Sequence, residues 1–168
     1  IVQAIPPSGI RRYFDLIATT KGIISLGVGE PDFVTPWHIR DEAIYSLERG
    51  YTVYTSNAGM PELREEISKY LKRTIGISYE AEGEVLVTVG ASEAVDLAIR
   101  SLITPGDEAL VPEPCYVSYQ PCVSLSGGIP VPVETRVENE FKLRAEDLAK
   151  KITPKSKVLI LSYPNNPT

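Results

Sequence analysis

Three short polar stretches carry residue types that could hold a small ligand: Gly90-Ala91-Ser92, Glu113-Pro114-Cys115-Tyr116 and Asn165-Asn166-Pro167-Thr168. The first has the chemistry of an anion cup. Small residues let an anion approach the backbone, a helix start presents unpaired N–H groups, and Ser92 adds a hydroxyl. The same residues read equally well as an ordinary serine-capped helix start. Tyr116 could stack on a planar ring or simply fill a core. Asn166, held between Asn165 and Pro167, could donate a hydrogen bond from a stiff loop or merely make a turn. Together the three stretches fit a phosphorylated aromatic cofactor. The spacing is neither that of a P-loop, since no GxxxxGK[ST] occurs, nor that of a dinucleotide loop.

Other chemistries are excluded by what the chain lacks. It contains no HExxH and no GxSxG, and its one histidine, His38, reads as a surface residue in the first turn of a helix. Zinc hydrolysis and a local Ser-His-Asp triad are therefore not expected, and no metal site is. Cys115 and Cys122, seven residues apart, form neither a CxxC redox pair nor a zinc knuckle. The net charge of −5 offers no broad positive field for phosphate backbones, so nucleic acid is not an expected partner. No apolar stretch approaches the roughly 20 residues that cross a bilayer. The opening Ile1-Val2-Gln3-Ala4-Ile5-Pro6-Pro7 lacks the basic and long apolar regions of a secretion signal. The expectation is a cytoplasmic protein. The absence of an initiating Met and the stop at a strand-end loop lead us to expect part of a longer chain.

The elements that must position these loops follow from periodicity and punctuation. Ser8 to Thr20 reads as a helix with Ile10, Phe14, Leu16 and Ile17 on its apolar side. Ile23 to Val28 is an apolar run. Thr35-Pro36 starts a second helix, with the hydroxyl as cap and Ile39, Ala43, Ile44 and Leu47 as the stripe, and Gly50 stops it. Tyr51 to Gly59 is a polar, aromatic loop. Pro61 opens a third helix, acidic at its start and basic at its end, as the helix dipole favours. From there strands and helices alternate. Val85–Val89, Ala109–Val111, Ile129–Val133 and Val158–Leu161 read as strands, with Glu93–Ile103, Tyr116–Leu125 and Leu143–Ile152 as helices. Pro121 kinks the second of these or marks its start. Pro130 and Pro132 place their strand near a sheet edge. The alternation predicts an α/β fold with a parallel sheet between helices and ligand loops at the strand C-termini.

Six stretches in order now define a resemblance: Ile24-Ser25-Leu26-Gly27-Val28-Gly29-Glu30-Pro31-Asp32-Phe33-Val34-Thr35-Pro36, Tyr54-Thr55-Ser56-Asn57-Ala58-Gly59-Met60-Pro61-Glu62-Leu63-Arg64, Val87-Thr88-Val89-Gly90-Ala91-Ser92-Glu93-Ala94, Pro105-Gly106-Asp107-Glu108, Pro112-Glu113-Pro114-Cys115-Tyr116 and Tyr163-Pro164-Asn165-Asn166-Pro167-Thr168. The chain resembles the N-terminal part of a class I/II aminotransferase, a pyridoxal-phosphate enzyme of the aspartate-aminotransferase fold type. The resemblance implies a three-layer α/β/α domain with a mostly parallel, mixed sheet. It places an N-terminal arm and part of the small domain in residues 1–35, and the first part of the large cofactor-binding domain in 36–168.

The resemblance also implies roles. Gly29 lies on the side of the substrate's α-carboxylate, where a side chain would block approach. Tyr54 matches the tyrosine that reaches the cofactor phosphate of the other subunit, which implies a homodimer with shared sites. Ala91 and Ser92 match the phosphate cup, Tyr116 the aromatic stacked on the pyridine ring, and Asn166 the asparagine bonded to the ring's phenolic oxygen. The Schiff-base lysine lies beyond the Asn-Pro-Thr motif in this family. None of Lys21, Lys69, Lys72, Lys142, Lys150, Lys151, Lys155 or Lys157 matches it, so the segment alone is expected to be inactive. The implied activity of the full-length protein is amino transfer from an L-amino acid, with the aromatic branch favoured, to a 2-oxo acid such as 2-oxoglutarate. Aspartate or broad specificity, carbon–sulfur lyase chemistry and a non-catalytic nucleotide or sugar-phosphate module stay open as alternatives.

Overall fold

Hydrophobic burial concentrates where apolar strands meet the helices that follow them. The computed structural model describes residues 2–6, 9–22, 24, 29 and 31–168. Most of the expected run Ile23–Val28, the expected helix start at Ser8 and Glu30 of the first stretch lie outside the described residues. The chain divides into two compact units, one of residues Gly9–Thr88 and one of Ile1–Ser8 with Val89–Thr168.

The Gly9–Thr88 unit carries three helices, α1 (Gly9–Thr19), α2 (Trp37–Glu48) and α3 (Pro61–Ile75). α3 forms as its sequence dictates. Pro61 sits where a missing N–H costs nothing, Glu62 and Lys72/Arg73 complement the dipole, and Gly76 closes the helix at φ 75°. α2 corrects one detail: it starts at Trp37 with Pro36 as the flanking residue, and the Thr35 hydroxyl makes no capping bond. α1 and α2 both form as expected, with their apolar stripes uncovered in this chain. Ile10, Phe14 and Leu16 of α1 and Ile39, Ile44 and Leu47 of α2 are exposed. Periodicity marks an apolar face; it does not supply the surface that buries it.

The buried polar side chain of this unit is Arg64, 7% exposed. Its Nη1 donates to the carbonyls of Ala81 (3.2 Å) and Glu82 (3.1 Å). Ser68 Oγ donates to Tyr79 O at 2.5 Å, so α3 grips the 79–82 turn at two levels. That turn leads into Val85–Val89, which forms no strand. In place of the expected ladder, Val87 N–H donates to Ala58 O at 3.0 Å. β-rich composition cannot make a strand without a neighbouring strand to pair with.

The other unit is an α/β layer structure. Helix α4 (Gly90–Leu102) leads to β1 (Glu108–Glu113), α5 (Tyr119–Leu125), β2 (Ile129–Glu134), α6 (Ala145–Ala149) and β3 (Ser156–Leu159). Among the described residues the sheet has three strands in the order β2-β1-β3, both pairings parallel. α5 packs on β1 and β2, α4 on α5, and α6 on β2. Ala109 and Val111 of β1, Val123 of α5 and Val133 of β2 are essentially sealed from water, joined by Ile99 and Ile103. Each such valine contributes about 1.5–3 kcal/mol relative to exposure. β2 lies at an edge, as its prolines require. Ile129 N–H donates to Asp107 O at 2.8 Å and Thr135 N–H to Glu113 O at 2.7 Å. Strand alternation therefore turns the backbone of Pro130 and Pro132 away from β1. Three boundaries are shorter or shifted relative to expectation. α5 begins at Tyr119, so Pro121 falls in its first turn, where an N–H has no helical partner to lose. α6 is five residues long and β3 starts at Ser156.

The turn between α4 and β1 is pinned by Asp107. Its Oδ2 accepts from Thr104 N–H (2.8 Å), Thr104 Oγ1 (2.7 Å) and Lys157 Nζ (3.1 Å). The Thr104 donors first, then Lys157, hold its carboxyl down to about 2 from an ordinary 3.8. A depressed carboxylate stabilises the fold fully above its unfolded value and ceases to do so as pH falls through the folded one. Acid unfolding of the wild-type protein should thus steepen between pH 4 and 2, the interval those two values bracket. Asp107→Asn should lose that component, as read by the denaturant midpoint against pH.

Candidate functional site

The candidate loops sit at helix starts and strand ends because small or polar residues interrupt the apolar runs there. α4 begins at Gly90 itself, so Gly90-Ala91-Ser92 is its first turn and not a linker ahead of it. Gly90 adopts φ 79°, a conformation open to glycine at little cost. The preceding residue, Val89, has no side chain able to cap, and its own N–H donates to the Glu93 carboxylate. Glu93 thus turns back toward Val89. Ala91 and Ser92 are exposed, and the N-cap residue Val89 makes no side-chain capping bond. The N–H groups of Ala91 and Ser92 lie in the first turn, where a helix offers them no acceptor of its own, and are donors suited to a phosphate.

At the other loops the structure brings two stretches together. Asn165 Nδ2 donates to Pro114 O (2.9 Å) and to Thr168 Oγ1 (2.8 Å), tying the loop after β3 to the exit of β1. The C-terminal ends of both strands border a cavity of about 500 Å³ lined by Pro112, Tyr119, Phe141, Ile160, Asn165 and Thr168 among others. Ligand crevices of open α/β sheets occupy this side. Tyr116 is half-buried beside it and meets Tyr119 edge to face, with centroids 5.8 Å apart. Asn166 is exposed next to the tethering Asn165. Among the described residues no hydrogen bond joins Ala91 or Ser92 to either loop.

Sequence reasoning passed over two residues here. Asn165 was readable only as half of an Asn-Asn doublet, and nothing local says which member faces the neighbouring loop. Tyr119 follows Tyr116 by one helical turn, a spacing that does place two rings within reach. Cys115 is half-buried, and burial first and the Glu113 carboxylate second push its thiol up. Cys122 is buried on α5, raised by burial and then by Asp96. Both stay protonated at neutral pH, which is the wrong state for a nucleophile.

Gly29 and Tyr54 belong to the Gly9–Thr88 unit. Gly29 is exposed, and a Cβ built there meets nothing within 4 Å. The Tyr54 side chain is fully exposed, as are most of Tyr51 and Val53 beside it. Its loop is ordered from both ends: Gly50 leaves α2 at φ 75°, and Gly59 enters α3 at φ 97°. Among the described residues no helix is long and apolar enough to cross a membrane, and no cluster of three metal-type side chains forms.

Comparison with known proteins places these features. Residues 21–168 match the family model described as aminotransferase class I and II. The chain is 55% identical to a putative aminotransferase, YugH, of Bacillus subtilis over 99% of this chain and 43% of that protein. It is 43% identical to aromatic-amino-acid aminotransferase 2 of Thermococcus litoralis, again over 99% of this chain and 43% of the relative. The solved aspartate aminotransferase of Thermus thermophilus with maleate superposes with a TM-score of 0.91 at 38% identity, covering 99% of this chain and 44% of that one. The chain thus spans less than half the length of the relatives it matches. Its parallel sheet flanked by helices is part of the large domain of fold type I. The chain belongs to the aminotransferase class I and II family.

Proposed function

We propose that the full-length protein is a pyridoxal-phosphate-dependent aminotransferase acting on L-amino acids, aromatic ones favoured, with a 2-oxo acid such as 2-oxoglutarate as acceptor. What carries the reading is the small-residue start of α4 at Gly90-Ala91-Ser92, with Ala91 and Ser92 exposed, in a chain of this family. The residue types fit the cofactor: two small residues, the first-turn N–H groups of Ala91 and Ser92 and the hydroxyl of exposed Ser92 suit its phosphate. Ala91 and Ser92 would hold that phosphate, Tyr116 would stack on the pyridine ring, and Asn166 would donate to the phenolic oxygen. Gly29 leaves room beside the substrate carboxylate. Tyr54 reaches the phosphate of the other subunit in a homodimer, and we place the protein in the cytoplasm. When bound, the cofactor supplies the electron sink that makes the substrate α-proton acidic. The residues here bind and orient it. The residue that bonds to it covalently is none of this segment's lysines.

A titration tests this. Full-length protein loaded with pyridoxal phosphate should show a band near roughly 360–430 nm that fades on adding an L-amino acid and returns with 2-oxoglutarate. Phenylalanine and tyrosine should drive the change faster than aspartate. A band that no amino donor alters would overturn the activity. The likeness to the Thermus thermophilus aspartate aminotransferase favours one second reading, an acidic-substrate enzyme. Aspartate outpacing the aromatic donors would select it.

A further inference from the structure

The contact between Gly59 and Val87 lies outside every role assigned above. Gly59 stands at φ 97°, and a Cβ there would come within 2.6 Å of both Cβ and Cγ2 of Val87. Real Cβ atoms do not approach so closely, and Val87 Cβ is fixed to the backbone, so it cannot swing aside. One residue away, the backbones are bonded through Val87 N–H and Ala58 O at 3.0 Å. The turn that feeds Val87 is itself held, because buried Arg64 grips Ala81 O and Glu82 O from α3. Gly59 N–H donates to Ser56 O at 2.9 Å, and Ala58 N–H meets Ser56 Oγ at 3.3 Å, which folds the end of the loop into a compact turn. The loop carrying Tyr54 is therefore seated on residues 85–88 through a contact that only a glycine permits.

We infer that Gly59 is a positioning residue for cofactor binding: its bare Cα lets the 51–59 loop close on Val87 and so sets where the Tyr54 hydroxyl is presented. The inference rests on the proposed role of Tyr54 and goes beyond it, since Gly59 touches neither cofactor nor substrate. A methyl at position 59 must push the loop off its seat and also strain a left-handed backbone. The Tyr54 ring would survive, displaced.

The test is a double-mutant cycle in the full-length protein, with apoprotein titrated by pyridoxal phosphate in equilibrium dialysis. Gly59→Ala should weaken binding about tenfold or more, on the scale of losing one hydrogen bond to a charged phosphate. In the Tyr54→Phe background it should cost at most about threefold further, because the group it misplaces is already gone. Multiplying losses, or an unchanged affinity with only a lower melting temperature, would overturn the inference and leave Gly59 a structural glycine. If Tyr54→Phe itself leaves affinity unchanged, it is the assigned role of Tyr54 that fails. Should Gly59→Ala not fold, Val87→Ala runs the same cycle: it removes the methyls of the seat without adding a clash. Its loss should likewise vanish when Tyr54 is Phe, and a loss that persists there would overturn the inference.

Discussion

Replacing Tyr54 by Phe in the full-length protein is expected to weaken pyridoxal-phosphate binding by about 10- to 150-fold. A hydroxyl-to-phosphate hydrogen bond sheltered from water is worth about 1.5–3 kcal/mol, which gives that range. Fold stability should hardly change, since the ring is kept and its side chain is fully exposed in this chain. Complementation isolates the crossing. The Tyr54→Phe protein is mixed with one lacking the catalytic lysine, subunits exchange, and cofactor is titrated. The heterodimer site that keeps its lysine receives an intact Tyr54 from the other chain and should bind tightly. Binding as weak as in the Tyr54→Phe homodimer would show that Tyr54 stays within its own subunit.

Gly128→Ala should destabilise the α/β unit by about 1–3 kcal/mol, the usual cost of overfilling a packed core. A Cβ at Gly128 would lie 2.6 Å from Ile103 Cγ2, 3.1 Å from Val123 Cγ1 and 3.3 Å from Asp107 O. Ile103 and Val123 are both buried, so neither methyl can retreat into solvent. Chemical denaturation of the full-length protein reads the loss. Adding Ile103→Leu moves the branch from Cβ to Cγ and takes the offending methyl away, so the double variant should be more stable than the sum of the single effects predicts. Strict additivity would show that the loop at 127–128 simply shifts to make room.

What could be read in advance was local. α3 announced itself through Pro61, its charge gradient and Gly76, each of which acts within one turn. The edge position of β2 followed from Pro130 and Pro132, whose missing N–H groups need no knowledge of the rest of the fold. The polar loop ending at Gly59 was legible as a loop, yet the need for glycine there was not, because Val87 lies 28 positions later in the chain. Val85–Val89 failed as a strand for a related reason. Its composition is intrinsic, but a ladder needs a neighbouring strand, and Val87 N–H instead meets the Ala58 carbonyl of a loop. The tether from Asn165 to Pro114 spans 51 positions and shows only when the two strand ends are side by side.

The prolines of β2 have a consequence for assembly. A sheet edge templates new strands through its outward-facing N–H and C=O groups, and Pro130 and Pro132 turn their nitrogens outward with no hydrogen to offer. β2 is thereby a poor template along that edge. Among the described residues the sheet's other edge is β3, which carries no proline, so a strand added to this sheet is favoured beside β3 over β2.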